Sequence, residues 1–186
     1  MAQTQQARLE GVIAATRSGV AGGLALPPVH LWNPPLSGDI DILIRKDGAW
    51  LHEGGIIGRE ALVRLFSRIL RREGDETFLV TPVEKWRIRV EDAPFTAVRV
   101  DRVGDDLSFL TNVGDEVVAG PDHPIRVQAA ADGAPRPYLG VRGGLEALIT
   151  RPVFYELANL AEERAGELGV QSGGAWFPIG QAGDGR

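Results

Sequence analysis

The sequence predicts an α+β protein made of two similar small subdomains, each with an antiparallel sheet followed by a helix. Apolar and polar residues alternate along several short segments, as expected for strands with one buried face. Glycine (24) and proline (12) are frequent among the 186 residues, which favours short elements joined by turns over long helices. A strand–turn–strand–helix order also occurs twice along the chain, and this order suggests a duplicated unit.

The first copy of this order begins with a strand over residues 39–45. Isoleucines alternate with polar residues there, so Asp39 and Asp41 share the face opposite to the isoleucines. The sequence KDG at 46–48 predicts a tight turn into a second strand, because glycine readily takes a positive φ. A helix is then predicted over 58–72, where apolar residues recur at spacings of three and four.

The second copy is predicted from a matching turn and helix. The DGA turns at Asp47 and Asp132 lie 85 positions apart, and the helix starts at Arg59 and Arg151 lie 92 positions apart. The second copy therefore carries seven extra residues between its turn and its helix, which is predicted over 151–165. Because DGA is a common turn, two unrelated hairpins that each precede a helix remain the alternative.

These patterns divide the chain into three parts. Residues 1–37 form an N-terminal segment, with a short helix or a loose tail over 8–17 and an irregular stretch over 19–37. Residues 38–95 form the first α+β subdomain. Residues 96–186 form the second, which ends in a glycine-rich tail whose AWFPI sequence is apolar enough to dock onto the domain.

Composition excludes several classes of function. The chain has no cysteine, so disulfides, thiolate zinc sites and thiol nucleophiles are excluded. A net charge of −5 and a pI near 5.3 disfavour nucleic acid as a partner, because such proteins usually present a basic surface. No apolar segment is long enough to span a bilayer, and the first residues lack the pattern of a secretory signal. We therefore expect a cytoplasmic protein without a membrane partner.

Three segments carry a family resemblance, namely WNPPLSGDIDILIRKDGAW, GREALVRLFSRILRR and LVTPVEKWRIRVEDAPF. Over Trp32 to Phe95 the chain resembles a bacterial family of uncharacterised proteins, domain of unknown function 1285. The resemblance continues through RPYLGVRGGLEALITRPVFYELANLA. It implies a duplicated α+β repeat with a second half similar to pleckstrin-homology-like barrels. It also implies a ligand or partner site where the halves meet and a role in signal transduction, but it carries over no catalytic residue.

The middle of the chain is dense in charge and flanked by tryptophans, without a catalytic motif. We therefore expect a non-enzymatic binding or regulatory module, with no metal or cofactor, whose site lies at the interface between the two halves. Its ligand would be a small anionic or amino-acid-like molecule, a nucleic acid or a protein. The residues expected to bind it are Trp32, Asp41, Trp50, Arg59, Glu84, Lys85 and Asp92.

The carboxylates of the first strand leave an alternative open. Asp39 and Asp41 are either polar residues of a solvated or partner-facing strand, or they share a divalent cation. The rival function is therefore a hydrolase-like enzyme that uses Asp39, Asp41 and His52, with or without a divalent metal.

Two groups of cations also have two interpretations each. An arginine group on the polar side of the predicted first helix is either a solvated face or a surface for an anion, a nucleic acid or an acidic protein; it contains Arg64, Arg68, Arg71 and Arg72. A second group on one strand face either forms surface ion pairs or lines a pocket; it contains Lys85, Arg87 and Arg89.

Overall fold

The computed structural model describes residues 2–19 and 26–183. The chain divides into two compact units, Met1–Asp92 (unit 1) and Ala93–Arg186 (unit 2). The α-helices of the described residues are α1 (Ala2–Gly19), α2 (Glu60–Ser67) and α3 (Arg151–Asn159), and Val29–Leu31 forms a short 3-10 helix. None of the helices in this part of the chain is both long and apolar enough to cross a membrane.

Unit 1 contains a six-stranded sheet in the order β3-β2-β1-β6-β5-β4. The central strands β1 and β6 pair in parallel, and the other neighbours pair antiparallel. Its strands are β1 (Leu36–Ile44), β2 (Trp50–His52), β3 (Gly55–Ile56), β4 (Leu70–Glu73), β5 (Glu76–Val80) and β6 (Lys85–Val90). The mixture of helices with a mainly antiparallel sheet confirms the predicted α+β class.

The core of unit 1 forms on the isoleucine face of β1. Ile40, Ile42 and Ile44 are buried, as the alternation predicted. Trp50 lies opposite Ile44 across the β1–β2 hairpin, and its ring stacks on Phe66 of α2 with centroids 6.3 Å apart. The helix and the sheet therefore bury their apolar faces against each other, which is the main stabilising contribution in a two-layer structure.

The N-terminal segment forms the regular helix α1, so the helical alternative of the prediction is confirmed. Leu9 and Val12 are buried on its inner side. The Arg8 guanidinium lies 5.2 Å from the Trp86 ring centroid and donates to the Asp39 carbonyl oxygen over 2.9 Å. These contacts attach the helix to the central strands of the sheet. Of the irregular stretch predicted over 19–37, residues 20–25 lie outside the described residues.

Unit 2 contains a second six-stranded sheet, in the order β10-β11-β12-β7-β8-β9. Its central pair, β7 and β12, is again parallel, and the sheet curls into a half-barrel, as the pleckstrin-homology-like resemblance implied. Its strands are β7 (Phe95–Val103), β8 (Asp106–Thr111), β9 (Glu116–Val118), β10 (Ile125–Ala129), β11 (Pro135–Arg142) and β12 (Leu145–Ile149).

A smaller sheet completes unit 2 after α3. It contains β13 (Glu162–Arg164), β14 (Glu167–Ser172) and β15 (Ala175–Gln181) in that order. The buried Ser172 hydroxyl accepts a hydrogen bond from the Leu107 amide (2.8 Å) and donates to the Ala119 carbonyl (2.7 Å). Gly173 follows with φ +58°, where a Cβ would lie 2.7 Å from the Ala119 oxygen. A glycine is therefore required where this sheet docks on β8 and β9.

The predicted duplication is visible in the backbone pairing. Asp47 and Asp132 each accept a hydrogen bond from the amide two residues later over 3.0 Å, so both turns close in the same way. The two hairpins then share one register. The pairs Ile44↔Trp50, Leu43↔Leu51 and Ile42↔His52 of β1 and β2 correspond to Ala129↔Pro135, Gln128↔Arg136 and Val127↔Pro137 of β10 and β11.

The two copies differ in the strands just before the helix. β2 and β3 are short, with three and two residues, whereas β11 and β12 have eight and five. Because α2 begins at Glu60 and α3 at Arg151, the second copy has six extra residues between turn and helix instead of the predicted seven, and this longer hairpin contains them. After the helix, each copy continues with a three-stranded meander, β4-β5-β6 or β13-β14-β15.

Both predicted helices are too long. The helix predicted over 58–72 ends at Ser67, and the helix predicted over 151–165 ends at Asn159. The residues that follow each helix form β4 and β13, which pair with the next strand. Apolar residues such as Leu70 continue the helical spacing by coincidence, because sheet pairing overrides a weak local preference.

The prediction of a glycine-rich tail at the end of the chain is also wrong, because the AWFPI segment is part of a strand. The predicted docking of this segment onto the domain is confirmed. Ala175–Gln181 is strand β15, paired with β14 along its length. Phe177 and Ile179 are buried, while Pro178 and Gly180 are exposed. This alternation is that of an ordinary strand with one buried face.

Trp50 tests the importance of the hairpin–helix contact in unit 1. Because the ring is 2% exposed and stacks on Phe66, Trp50→Ala should lower the free energy of unfolding by about 3–5 kcal/mol. Urea unfolding followed by circular dichroism measures this loss. Leu31→Ala is the control, because Leu31 is 69% exposed and its truncation should cost less than about 0.5 kcal/mol. Equal losses for both variants would contradict this account of the core.

Candidate functional site

The acidic pair of the first strand lies beside arginines of the parallel strand β6. The Asp39 carboxylate lies 3.2 Å from the Arg87 guanidinium, and the Asp41 carboxylate lies 2.6 Å from that of Arg89. The backbone register places Asp39 directly opposite Arg87. The two carboxylates are therefore already neutralised by cations of their own sheet, which is the polar-face interpretation of the pair.

A second chain of charges crosses the same face towards the edge of the sheet. Lys85 Nζ lies 3.0 Å from one oxygen of Glu73, and Arg71 contacts the other oxygen. The Arg71 guanidinium also donates to the carbonyl oxygens of Val29 and Trp32. The network thus joins two predicted site residues, Trp32 and Lys85, through two residues of strand β4.

The Glu73 carboxylate is the electrostatic centre of this network. The hydrogen bond from Lys85 lowers the pKa of Glu73 most; burial opposes it, and the hydrogen bond and charge of Arg71 lower the pKa further. Lys85 and Arg87 additionally lie over the ring of Phe78, at 4.9 and 6.0 Å from its centroid. Cations and carboxylates are therefore matched around a buried aromatic ring.

These contacts decide between the interpretations of the two cation groups. Lys85, Arg87 and Arg89 form ion pairs, so the ion-pair interpretation holds for them. The prediction that the arginine group lies on one helix is wrong, because Arg64 lies on α2 whereas Arg71 and Arg72 lie on β4. The reason is the early end of α2, which turns the last part of the predicted helix into a strand.

The other predicted site residues are distributed over unit 1. Trp50 is in the core, Arg59 is exposed at the N-cap position of α2, and Asp92 is half-buried. Glu84 is half-buried beneath α1, where a Cβ on Gly11 would lie 3.9 Å from both of its carboxylate oxygens. The structure thus brings Trp32 and Lys85 into one network and does not bring Trp50, Arg59 or Glu84 into it.

The hydrolase grouping of Asp39, Asp41 and His52 is not formed. His52 lies opposite Ile42 and therefore on the isoleucine face, whereas both aspartates are on the other face of β1. Across residues 2–19 and 26–183, no group of three or more histidine, aspartate or glutamate side chains is arranged to hold a metal ion.

A groove of about 640 Å³ lies within unit 2, beside the start of α3. Its walls come from the Asp132 turn, the start of β11, the end of β12 and the first turns of α3. Pockets for small organic ligands usually have volumes of about 300–1,000 Å³. The residues that line it, called the α3 groove below, are Asp132, Ala134, Pro135, Arg136, Pro137, Leu148, Ile149, Thr150, Arg151, Phe154 and Tyr155.

The α3 groove has an apolar interior and a polar rim. Pro137 and Ile149 are buried, Phe154 is half-buried, and Tyr155 is 54% exposed. At the rim the Arg151 Nε donates to the Tyr155 hydroxyl over 2.8 Å, and its guanidinium lies 5.6 Å from the Tyr155 ring centroid. This pair presents one cation and one hydroxyl beside an apolar cavity.

The sequence reasoning missed this site, because it searched the charge-dense middle of the chain. A signal was present in the repeat. The second copy has a longer hairpin before its helix and places Pro135 where the first copy has Trp50. A longer hairpin with a smaller side chain beside the helix is a condition under which a cavity forms.

Glu73 provides a test of the charged network by pH. Because its folded-state pKa is lowered, the carboxylate stabilises the fold above its unfolded pKa of about 4.3, and this contribution is lost as pH falls through the folded value. Glu73→Gln should therefore cost up to about 1 kcal/mol at pH 7, and the difference should shrink below pH 4. Urea unfolding at several pH values measures the loss of stability and its pH dependence.

Glu60→Gln is the control, because the Glu60 carboxylate is 88% exposed and lies 3.9 Å from Arg64. This substitution should change the free energy of unfolding little at any pH. A pH-independent loss for Glu73→Gln would refute the assignment.

Two protein-family models match the chain, one over most of unit 1 and the other over most of unit 2. Residues 27–93 match the model described as "Domain of unknown function (DUF1285), N-terminal domain". Residues 94–179 match "Protein of unknown function (DUF1285), C-terminal domain". No curated protein matches the chain.

Two crystal structures of DUF1285 family proteins are similar to this chain. The one from Silicibacter pomeroyi DSS-3 is 51% identical with a TM-score of 0.84, covering 91% of this chain and 94% of that protein. The one from Shewanella baltica OS155 is 30% identical with a TM-score of 0.52, covering 63% of this chain and 90% of that protein. The paired domain matches, together with this identity over nearly the whole length, show that the chain belongs to the DUF1285 family.

Proposed function

We propose that this protein is a non-enzymatic binding module whose α3 groove takes a small anionic ligand. The observation that carries the proposal is the groove itself, a cavity of about 640 Å³ with Arg151 at its rim. The lining residues include two arginines and one aspartate. The formal charge of the lining is therefore positive, on a chain with a net charge of −5. A local positive site on an acidic protein favours an anion at that site.

Arg151 is the residue best suited to hold the anion. Its Nε donates to Tyr155, which fixes the orientation of the guanidinium. The planar fork of an arginine binds carboxylate or phosphate oxygens bidentately, and a fixed fork loses less entropy on binding. The Tyr155 hydroxyl adds a further hydrogen-bonding group at the same rim.

The start of α3 supports the same polarity. Thr150 at the N-cap makes no side-chain capping hydrogen bond, so its hydroxyl does not occupy the first amides of the helix. The amides at a helix start carry a partial positive charge that favours anions. This field acts in the same direction as the Arg151 guanidinium.

The remaining polar side chains of the groove suit binding more than catalysis. The Asp132 carboxylate accepts a hydrogen bond from the Ala134 amide and so closes the turn between β10 and β11. The lining contains no histidine, serine or lysine that such a carboxylate would activate. A regulatory role, as the family resemblance implies, would follow if occupancy of the groove changed the surface of unit 2.

The seven residues predicted from the sequence all belong to unit 1. They are Trp32, Asp41, Trp50, Arg59, Glu84, Lys85 and Asp92, and their role in binding a ligand stays a prediction.

Arg151→Gln tests the proposal. In heteronuclear NMR titrations, indole-3-acetate and phenyl phosphate should shift the amide signals of residues 132–137 and 150–155. Loss of a charge-assisted hydrogen bond is worth about 1.5–3 kcal/mol, so Arg151→Gln should weaken binding at least about tenfold.

Arg99→Gln is the matched control. Arg99 is an exposed arginine of unit 2 that pairs with Asp101 at 2.7 Å and does not line the groove, so its replacement should leave the dissociation constants unchanged. If millimolar concentrations of neither anion shift the groove amides, the proposal fails.

A further inference from the structure

We infer that the ligand of the α3 groove carries a planar aromatic ring, and that this ring occupies the place that the Trp50 indole fills in the first copy of the repeat. This inference rests on the proposed function, since it specifies the ligand of the same site. Its evidence is independent, because it comes from the comparison of the two hairpins within one chain.

The first step is the position of the indole in unit 1. Trp50 is the first residue of β2, directly opposite Ile44, and only 2% of its surface is exposed. Its ring stacks on Phe66 of α2 at an interplanar angle of 23°. In this copy an aromatic ring therefore fills the space between the hairpin and the helix that follows it.

The second step is the equivalent position in unit 2. Pro135 is the first residue of β11 and lies opposite Ala129, in the same register relative to the turn as Trp50 and Ile44. Both members of the pair are smaller than their counterparts, and both are exposed. The space that the indole fills in unit 1 is therefore left open in unit 2, and Pro135 lines the groove found there.

The third step is the chemistry of the open space. Phe154 and Tyr155 contribute aromatic rings to its walls, and Pro135 and Pro137 contribute flat aliphatic rings. Aromatic rings pack on such surfaces by stacked or edge-to-face contacts, which add to simple burial. With Arg151 at the rim, the fitting ligand is an aromatic ring with a carboxylate or phosphate on a short linker.

Three probes test the aromatic ring and the charge. Indole-3-acetate has the ring and the anion, cyclohexylacetate has the anion on a non-aromatic ring, and tryptamine has the indole with a cation. We expect indole-3-acetate to bind at least about tenfold more tightly than cyclohexylacetate, and tryptamine to bind more weakly than both. Nuclear Overhauser contacts from the indole protons to Phe154 should locate the ring.

A substitution that restores the aromatic residue tests the position of the ring. Pro135→Trp should place an indole where the first copy has one, and so reduce binding of indole-3-acetate at least about tenfold. Pro82→Trp is the control, because Pro82 is an exposed proline of unit 1. The amide spectrum and the urea midpoint of each variant report whether it is folded.

If Pro135→Trp does not fold, Phe154→Leu takes its place, because it removes an aromatic wall while keeping an apolar side chain. It should reduce the preference for indole-3-acetate over cyclohexylacetate and leave the affinity for cyclohexylacetate nearly unchanged.

The outcomes separate the two proposals. If both anions bind with equal affinity and both depend on Arg151, the groove is an anion site and the aromatic inference is overturned. The inference is also overturned if a folded Pro135→Trp variant, or in its place Phe154→Leu, binds indole-3-acetate like the wild type. If indole-3-acetate, cyclohexylacetate and phenyl phosphate all fail to bind at the groove, the proposed function itself fails.

Discussion

Two carboxylates, Asp47 and Asp132, set the hairpin registers on which the rest of each unit depends. Each accepts the amide two residues later and so fixes where the chain reverses. A slip of one residue would exchange the two faces of the strand and expose the residues that β1 buries. In unit 1 this register places Trp50 against α2, and in unit 2 it places Pro135 at the α3 groove. One turn geometry thus produces a filled space in one copy and an open one in the other.

The charged face of unit 1 illustrates how parallel pairing can match opposite charges across a sheet. Because β1 and β6 run in parallel, their outward residues meet side by side, acids on one strand and cations on the other. Ion pairs of this exposure contribute little stability each. Two cations of this face, Lys85 and Arg87, also cover Phe78, which stays 3% exposed although it lies on the outward face of the sheet.

The sequence was sufficient for the class, the duplication and the first strand, because alternation and turn residues are local signals. It was insufficient for the helix ends, since Leu70 continues the helical spacing while its backbone pairs with β5. The groove depends on which residues of β11 and α3 approach each other, and no local pattern encodes that distance. The sequence feature that best indicated the groove was the alignment of the two turns, which places a tryptophan in one copy opposite a proline in the other.

Strand β13 has a consequence for association between molecules. It forms one side of the last sheet, and all three of its residues, Glu162, Glu163 and Arg164, are exposed and charged. A strand from another molecule could add there only by removing water from these charges, which is costly. The Arg164 guanidinium, 4.1 Å from the Trp176 ring centroid, also covers an aromatic surface beside this edge. This border of the sheet therefore resists polymerisation.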